Sequence, residues 1–137
     1  RKVALASTLA LNPTLLLLDE PTAGLDPVAR NEILNHMKTL HKNGKTLIVS
    51  SHQMEDLALL TDHVTLLSEG QVVASQASDQ LLSNHKLLDE NKMTAPIASQ
   101  MVKILRQKSW MVPENIIISQ QLIAAFEQLD EVKDVSV

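Results

Sequence analysis

Apolar positions along this chain follow two periods, one of strands and one of helices. Leu15-Leu16-Leu17-Leu18 is an unbroken apolar run of strand length that stops at Asp19 and Glu20. Such a run suits a strand covered on both faces, as strands of parallel sheets are. Thr46 to Ser50 is a second run of this kind. Between them Ile33, Met37 and Leu40 fall on one helical face. Asp26 offers an N-cap and Pro27 the favoured first helical position, so a helix is expected from Pro27 to about Lys42. Gly44 then ends it as a C-terminal cap. Upstream, Val3 to Leu11 has helical character and stops at Asn12-Pro13. Downstream, Met54 to Leu60 reads as a short helix, and Val64–Leu67 and Gln71–Ala74 flank the hairpin signal Glu69-Gly70. Ser78 is expected to cap a short helix that continues through Leu82. Strand, helix, strand, helix implies an α/β fold with a partial parallel sheet and covering helices, the hairpin being an appended edge.

The pattern changes after residue 82. Residues 83–95 are polar and weakly patterned, as a linker would be. Ile97, Met101, Ile104 and Leu105 then mark an amphipathic helix, Pro113 interrupts, and Ser119 is placed to cap a second helix carrying Leu122, Phe126 and Leu129 on one face. Residues 96–137 are therefore expected to form a small helical extension, packed through these apolar side chains rather than built around a ligand. Within the 137 residues there is no internal repeat and no low-complexity run.

Composition narrows the picture without changing it. Hydrophobic residues make up 45% of the chain, enough for a core, but Trp110 and Phe126 are its only aromatics, so aliphatic packing must dominate. The net charge of −4 gives no electrostatic footprint for nucleic acid. With no cysteine, disulfides and thiolate metal sites are excluded, in keeping with the cytosol. No apolar stretch reaches the roughly 20 residues that cross a bilayer, so a role at a membrane would run through partner subunits.

The chemistry concentrates at the end of the leucine run. Side chains alternate along a strand, so neighbouring Asp19 and Glu20 point different ways, one toward a metal and the other toward a water. A metal carboxylate beside a water-orienting carboxylate is a recurrent core of nucleotide triphosphatases. Asp19-Glu20-Pro21-Thr22-Ala23-Gly24-Leu25-Asp26-Pro27 resembles the Walker B and D-loop segment of ATP-binding cassette ATPases. Thr46-Leu47-Ile48-Val49-Ser50-Ser51-His52 is similar to the family's next core strand and its switch histidine. The resemblance covers residues 1–82 and implies a P-loop NTPase core. A buried strand with a chance acidic turn would explain the leucines, but not the acid pair, the Gly-Leu-Asp turn and the histidine together.

The resemblance implies a role for each matching residue. Asp19 would hold magnesium, through water, and Glu20 would orient or deprotonate the attacking water. His52 would donate a hydrogen bond to the γ-phosphate of ATP. Gly24, Leu25 and Asp26 would form the D-loop, which crosses the interface of an ATPase dimer. In the tail, Leu87-Leu88, Pro96, Leu105-Arg106, Pro113 and Leu122 resemble the C-terminal extension of energy-coupling-factor transporter ATPases. That resemblance implies an ATPase pair on the cytoplasmic face of the cell membrane. The pair would work with a membrane scaffold subunit and a substrate-binding membrane subunit that import vitamins or transition-metal ions. The unbroken Asp19–Pro27 motif looks like the second of the two sibling ATPases.

The motifs that do not occur also shape the expectation. A phosphate-binding loop needs Gly, four residues, then Gly-Lys-Ser/Thr. Gly44-Lys45-Thr46 ends that way, but Thr39 stands at its upstream glycine position. No Leu-Ser-Gly-Gly-Gln signature occurs, and the chain opens at Arg1. The expectation is the C-terminal part of a longer ATPase, inactive alone. His36, His41, His63 and His85 are scattered without metal-ligand spacing, Glu55-Asp56 reads as a solvated helix start, and Ser50 and Ser51 lack the setting of a nucleophile. The alternatives are the ATPase of another importer, a non-transport ATPase of the same superfamily acting on nucleic acid or ribosomes, or a non-hydrolysing partner, which intact Glu20 and His52 oppose.

Overall fold

The computed structural model describes residues 11–134, with side chains through residue 128. The helix expected over Val3 to Leu11 lies almost wholly outside the described residues. The chain divides into two compact units, residues 1–56 and 57–137.

In the first unit, β1 (Leu15–Asp19) pairs in parallel with β2 (Thr46–Ser50), Leu15 opposite Thr46 and Asp19 opposite Ser50. Helix α1 (Pro27–Lys42) makes the crossover and lies against β2. Its ends are built as the residues suggest. Asp26 Oδ1 accepts hydrogen bonds from the Val28 and Ala29 amides at 3.0 Å each, with Pro27 beginning the first turn. At the other end the Gly44 amide bonds to the His41 carbonyl and the Lys45 amide to the Leu40 carbonyl, a Schellman closure. Gly44 takes φ +81°, a conformation that costs glycine little. Gly44-Lys45-Thr46 is thus a helix stop leading into β2.

One expectation for this sheet fails. Among the described residues the leucine run is covered on one face only. Leu16 is buried, and Leu18, Leu47 and Val49 on its face are partly covered. On the opposite face Leu15, Leu17 and Ile48 are exposed, Leu17 at 71%. A single helix can cover one side of a two-stranded sheet. The side it covers is served by Ile33, Leu34 and Met37, all buried on α1.

The short helix α2 (Met54–Leu60) carries the last residues of the first unit and the first of the second. In the second unit β3 (His63–Ser68) and β4 (Gln71–Ala77) form an antiparallel hairpin. Glu69 and Gly70 both have positive φ, +49° and +76°, as a two-residue turn matched to strand twist requires. Burial alternates along β3, with Val64 and Leu66 inside. The hairpin is a sheet of its own rather than an edge appended to β1–β2.

Helix α3 (Ser78–Leu82) packs on this hairpin. Ser78 is its first residue, not its cap, because the Ser78 hydroxyl bonds to Thr61 at 2.9 Å. The stretch expected to be a linker contains α4 (His85–Glu90), capped by Asn84, and its Leu88 is fully buried. Helix α5 (Ile97–Gln107) follows; of the residues the periodicity picked out only Leu105 turns inward, and the buried face is the adjacent one, about one residue step round the helix. Ala98 and Val102 join Val112, Ile116 and Leu122 in the core, with Leu105 and Phe126 against them. Ile97, Met101 and Ile104 are exposed. Trp110 meets Phe126 edge to face, centroids 5.9 Å apart. The last helix, α6 (Ser119–Asp134), starts at Ser119. Gln121 reaches back to the Ile117 and Ile118 amides at 3.0 and 3.2 Å, and so does the work expected of Ser119. Leu122 is buried and Phe126 partly so, whereas the Leu129 side chain lies outside the described residues.

Candidate functional site

The parallel register sets the site. With Asp19 opposite Ser50, the two strands end together, and the segments that leave them start side by side. The Ser50 hydroxyl donates a short hydrogen bond to Asp19 Oδ1 and fixes that carboxylate at the sheet's exposed tip.

Glu20 follows with φ +43°, unusual for a residue bearing a β-carbon and typical of functional positions. Its amide still bonds to the Ser50 carbonyl at 3.0 Å, which extends the ladder by one step. The chain then turns, and Glu20 directs its carboxylate toward the strand-end loop of β2. There Glu20 Oε1 lies 2.7 Å from His52 Nδ1 and accepts a hydrogen bond from the His52 amide at 3.1 Å. The histidine side chain is about three-quarters exposed and the glutamate one-third, so the imidazole stands at the surface, whereas Glu20 Oε2 is buried and Oε1 is engaged by His52. The Nε2 nitrogen is on the far side of the imidazole from this contact.

The turn carrying Gly24, Leu25 and Asp26 comes next. Ala23 bonds back to the Glu20 carbonyl at 3.2 Å and Leu25 to the Thr22 carbonyl at 3.3 Å, and the Asp26 side chain caps α1. Asp19, Glu20 and His52 are therefore gathered at one sheet end. Gly24, Leu25 and Asp26 sit on the turn that leaves it.

A residue that sequence reasoning set aside belongs to the same unit. Asp56, read as a solvated helix start, is 1% exposed. Its Oδ1 accepts two hydrogen bonds from Arg30, from Nε at 2.9 Å and Nη2 at 2.6 Å. Its Oδ2 accepts one from the Thr22 hydroxyl, itself buried. A buried carboxylate is tolerated only when paired and hydrogen-bonded, and both oxygens of Asp56 are. The available signal was a threonine, an arginine and an aspartate without an evident task, on three segments that only the fold brings together.

Among the described residues no group of three histidine or acidic side chains gathers to hold a metal, and no helix is long and apolar enough to cross a membrane. The donor chemistry at Asp19 nonetheless fits magnesium, which is commonly held by one or two carboxylates, waters and substrate phosphates rather than by an all-protein cage.

Comparison with known proteins agrees with this geometry. A family model described as "AAA domain, putative AbiEii toxin, Type IV TA system" matches residues 1–57. The energy-coupling factor transporter ATP-binding protein EcfA2 of Clostridium tetani is 38% identical over 88% of this chain and 42% of its own length. EcfA2 of Clostridium perfringens is 37% identical over 93% of this chain and 45% of its own length. The chain thus spans less than half the length of these relatives. Among solved structures, cbiO1 from Clostridium perfringens, part of the ABC transporter complex cbiONQ, superposes with a TM-score of 0.56 at 29% identity, covering 74% of this chain and 41% of that one. The ADP conformation of MJ1267, an ATP-binding cassette of an ABC transporter, also gives 0.56, at 27% identity over 64% of this chain and 36% of that one. In sequence and in fold, the chain is thus similar to ATP-binding cassette ATPases, energy-coupling factor transporter ATP-binding proteins among them.

Proposed function

We propose that this chain carries the hydrolytic half-site of an ATP-binding subunit that energises an energy-coupling-factor importer for vitamins or transition-metal ions. The observation that carries the proposal is the 2.7 Å contact of Glu20 with His52, beside Asp19 at the end of a parallel strand pair. A carboxylate and an imidazole held at one sheet end suit water activation next to a phosphoryl group. Glu20 orients the attacking water and accepts its proton. His52 turns Nε2 toward the γ-phosphate, its ring held from the Nδ1 side by Glu20, and donates there when both ring nitrogens carry a proton. Asp19 holds magnesium through water, which when bound spreads the charge of the transferring phosphoryl group.

Gly24, Leu25 and Asp26 form the D-loop and face a second ATPase subunit. A membrane scaffold and a substrate-binding membrane subunit complete the assembly, which places this chain peripherally on the cytoplasmic face of the membrane. Nucleic acid is not among its partners, in keeping with the net charge of −4. Residues 1–82 form the ATPase part, 83–95 connect, and 96–137 form a helical extension. In support, every strand among the described residues lies before residue 83.

The test is Glu20→Gln in the complete subunit, assembled with its membrane partners. ATP binding persists and turnover collapses if Glu20 is the base, while turnover near wild type removes it from that role. Recovery of membrane subunits with the tagged protein, and no nucleic acid, supports the transport role. The reverse recovery overturns it.

A further inference from the structure

The Asp56 carboxylate occupies a place that the hydrolysis chemistry above does not use. It holds both ends of one turn. Thr22, two residues after Glu20, binds Oδ2, and Arg30, in the first turns of α1, binds Oδ1 through two nitrogens. Between these anchors lie Gly24, Leu25 and Asp26. Asp56 itself stands four residues after His52, and its amide bonds to the Gln53 carbonyl at 3.0 Å, so its backbone is continuous with the histidine segment. Three segments thus meet on one fully buried charge.

Stability alone is a poor reason for such an arrangement. A buried ion pair recovers little more than its desolvation cost, and well-packed apolar groups serve a core at least as well. Two guanidinium nitrogens converging on Oδ1 and a hydroxyl on Oδ2 do supply direction, because each bond fixes an angle as well as a distance. We propose that Asp56 is a positioning residue for ATP hydrolysis, locking the turn after Glu20 and the segment after His52 into one rigid body so that base and imidazole keep their register. This rests on the hydrolytic assignment of Glu20 and His52. Asp56 acts through Thr22 and through its own backbone, not by contact with the nucleotide.

The decisive variant is Thr22→Val, which keeps the side chain's shape and removes the hydroxyl. In the assembled ATPase, kcat falls about 10- to 100-fold with KM for ATP unchanged, the scale on which small displacements of reacting groups act. Thr22→Ser, which keeps the hydroxyl, restores kcat. Arg30→Lys, which keeps the charge and loses the fork, also lowers kcat, and Asp56→Asn lowers it at least as far. Combining Thr22→Val with Asp56→Asn costs no more than Asp56→Asn alone, because both break one network. Should Asp56→Asn fail to fold, the Thr22 pair and Arg30→Lys decide.

A Thr22→Val enzyme that melts at lower temperature but turns over at the wild-type rate overturns the proposal, provided Glu20→Gln is inactive in the same assay. If Glu20→Gln is itself active, the hydrolytic assignment falls, and this inference falls with it.

Discussion

Glu20 Oε1 lies 2.7 Å from His52 Nδ1 and also receives the His52 amide at 3.1 Å, so one carboxylate oxygen fixes both the ring and the backbone of the histidine on the neighbouring segment. The two residues are 32 positions apart in sequence. They meet because the parallel register brings Asp19 and Ser50 level and lets both strands end at the same height.

From that contact comes an expectation for Glu20→Gln in the complete ATP-binding subunit. The amide keeps the size and one acceptor oxygen but cannot take a proton. Steady-state ATP hydrolysis should drop by about 10² to 10⁴, the usual contribution of a general base, with nucleotide affinity retained. Radiolabelled phosphate release alongside equilibrium binding of ATP measures both.

The chain of 137 residues, purified alone, should show no magnesium-dependent ATPase activity. Its residues supply the carboxylates and the histidine, but no Gly-x-x-x-x-Gly-Lys-Ser/Thr segment to cradle the phosphates. Phosphate release above the level of a Glu20→Gln control would contradict this.

Capping gives a stability prediction. The Asp26 carboxylate satisfies the Val28 and Ala29 amides at the start of α1. Asp26→Ala should destabilise the fold by about 0.5–2 kcal/mol, the usual cost of losing an N-cap. Asp26→Ser should recover most of that, and urea titration distinguishes the two.

Met37 is completely buried at the centre of the apolar face of α1. Met37→Ala should cost about 2–5 kcal/mol through lost transfer energy and the cavity left behind. Met37→Leu, similar in volume, should cost less than about 1.5 kcal/mol. A denaturant midpoint unchanged by Met37→Ala would show that the helix is not held by this face.

The open side of the parallel pair leads to a prediction about association. Leu15, Leu17 and Ile48 expose apolar surface on a short sheet whose strands, among the described residues, pair only with each other, a combination that favours self-association. Leu17→Lys in the isolated chain should reduce association seen by analytical ultracentrifugation, with little loss of far-ultraviolet circular dichroism. Equal sedimentation of both forms would remove this face as the cause.

Much of this molecule follows from local physics that the sequence carries openly. The leucine run forms β1, Asp26-Pro27 starts α1, Gly44 stops it, and Glu69-Gly70 turns the hairpin, because each depends on residues within a few positions of one another. The convergence of Glu20 and His52 was implied by the family resemblance of their segments, and the parallel register, with Asp19 level with Ser50, is what brings it about.

Tertiary structure decided what depends on distant partners. The helix at Ile97–Gln107 has two faces with apolar residues, and only the neighbours Val112, Ile116 and Leu122 selected Ala98 and Val102 over Ile97, Met101 and Ile104. Likewise a leucine strand can be covered on two sides or on one, and periodicity does not count the layers. Asp56 is the sharpest case. Beside Glu55 at a helix start it has the sequence of a solvated acid, yet Arg30 and Thr22, 26 and 34 residues away, convert it into a buried charge. Burial of a charge is a property of its surroundings, and those are assembled only when the chain folds.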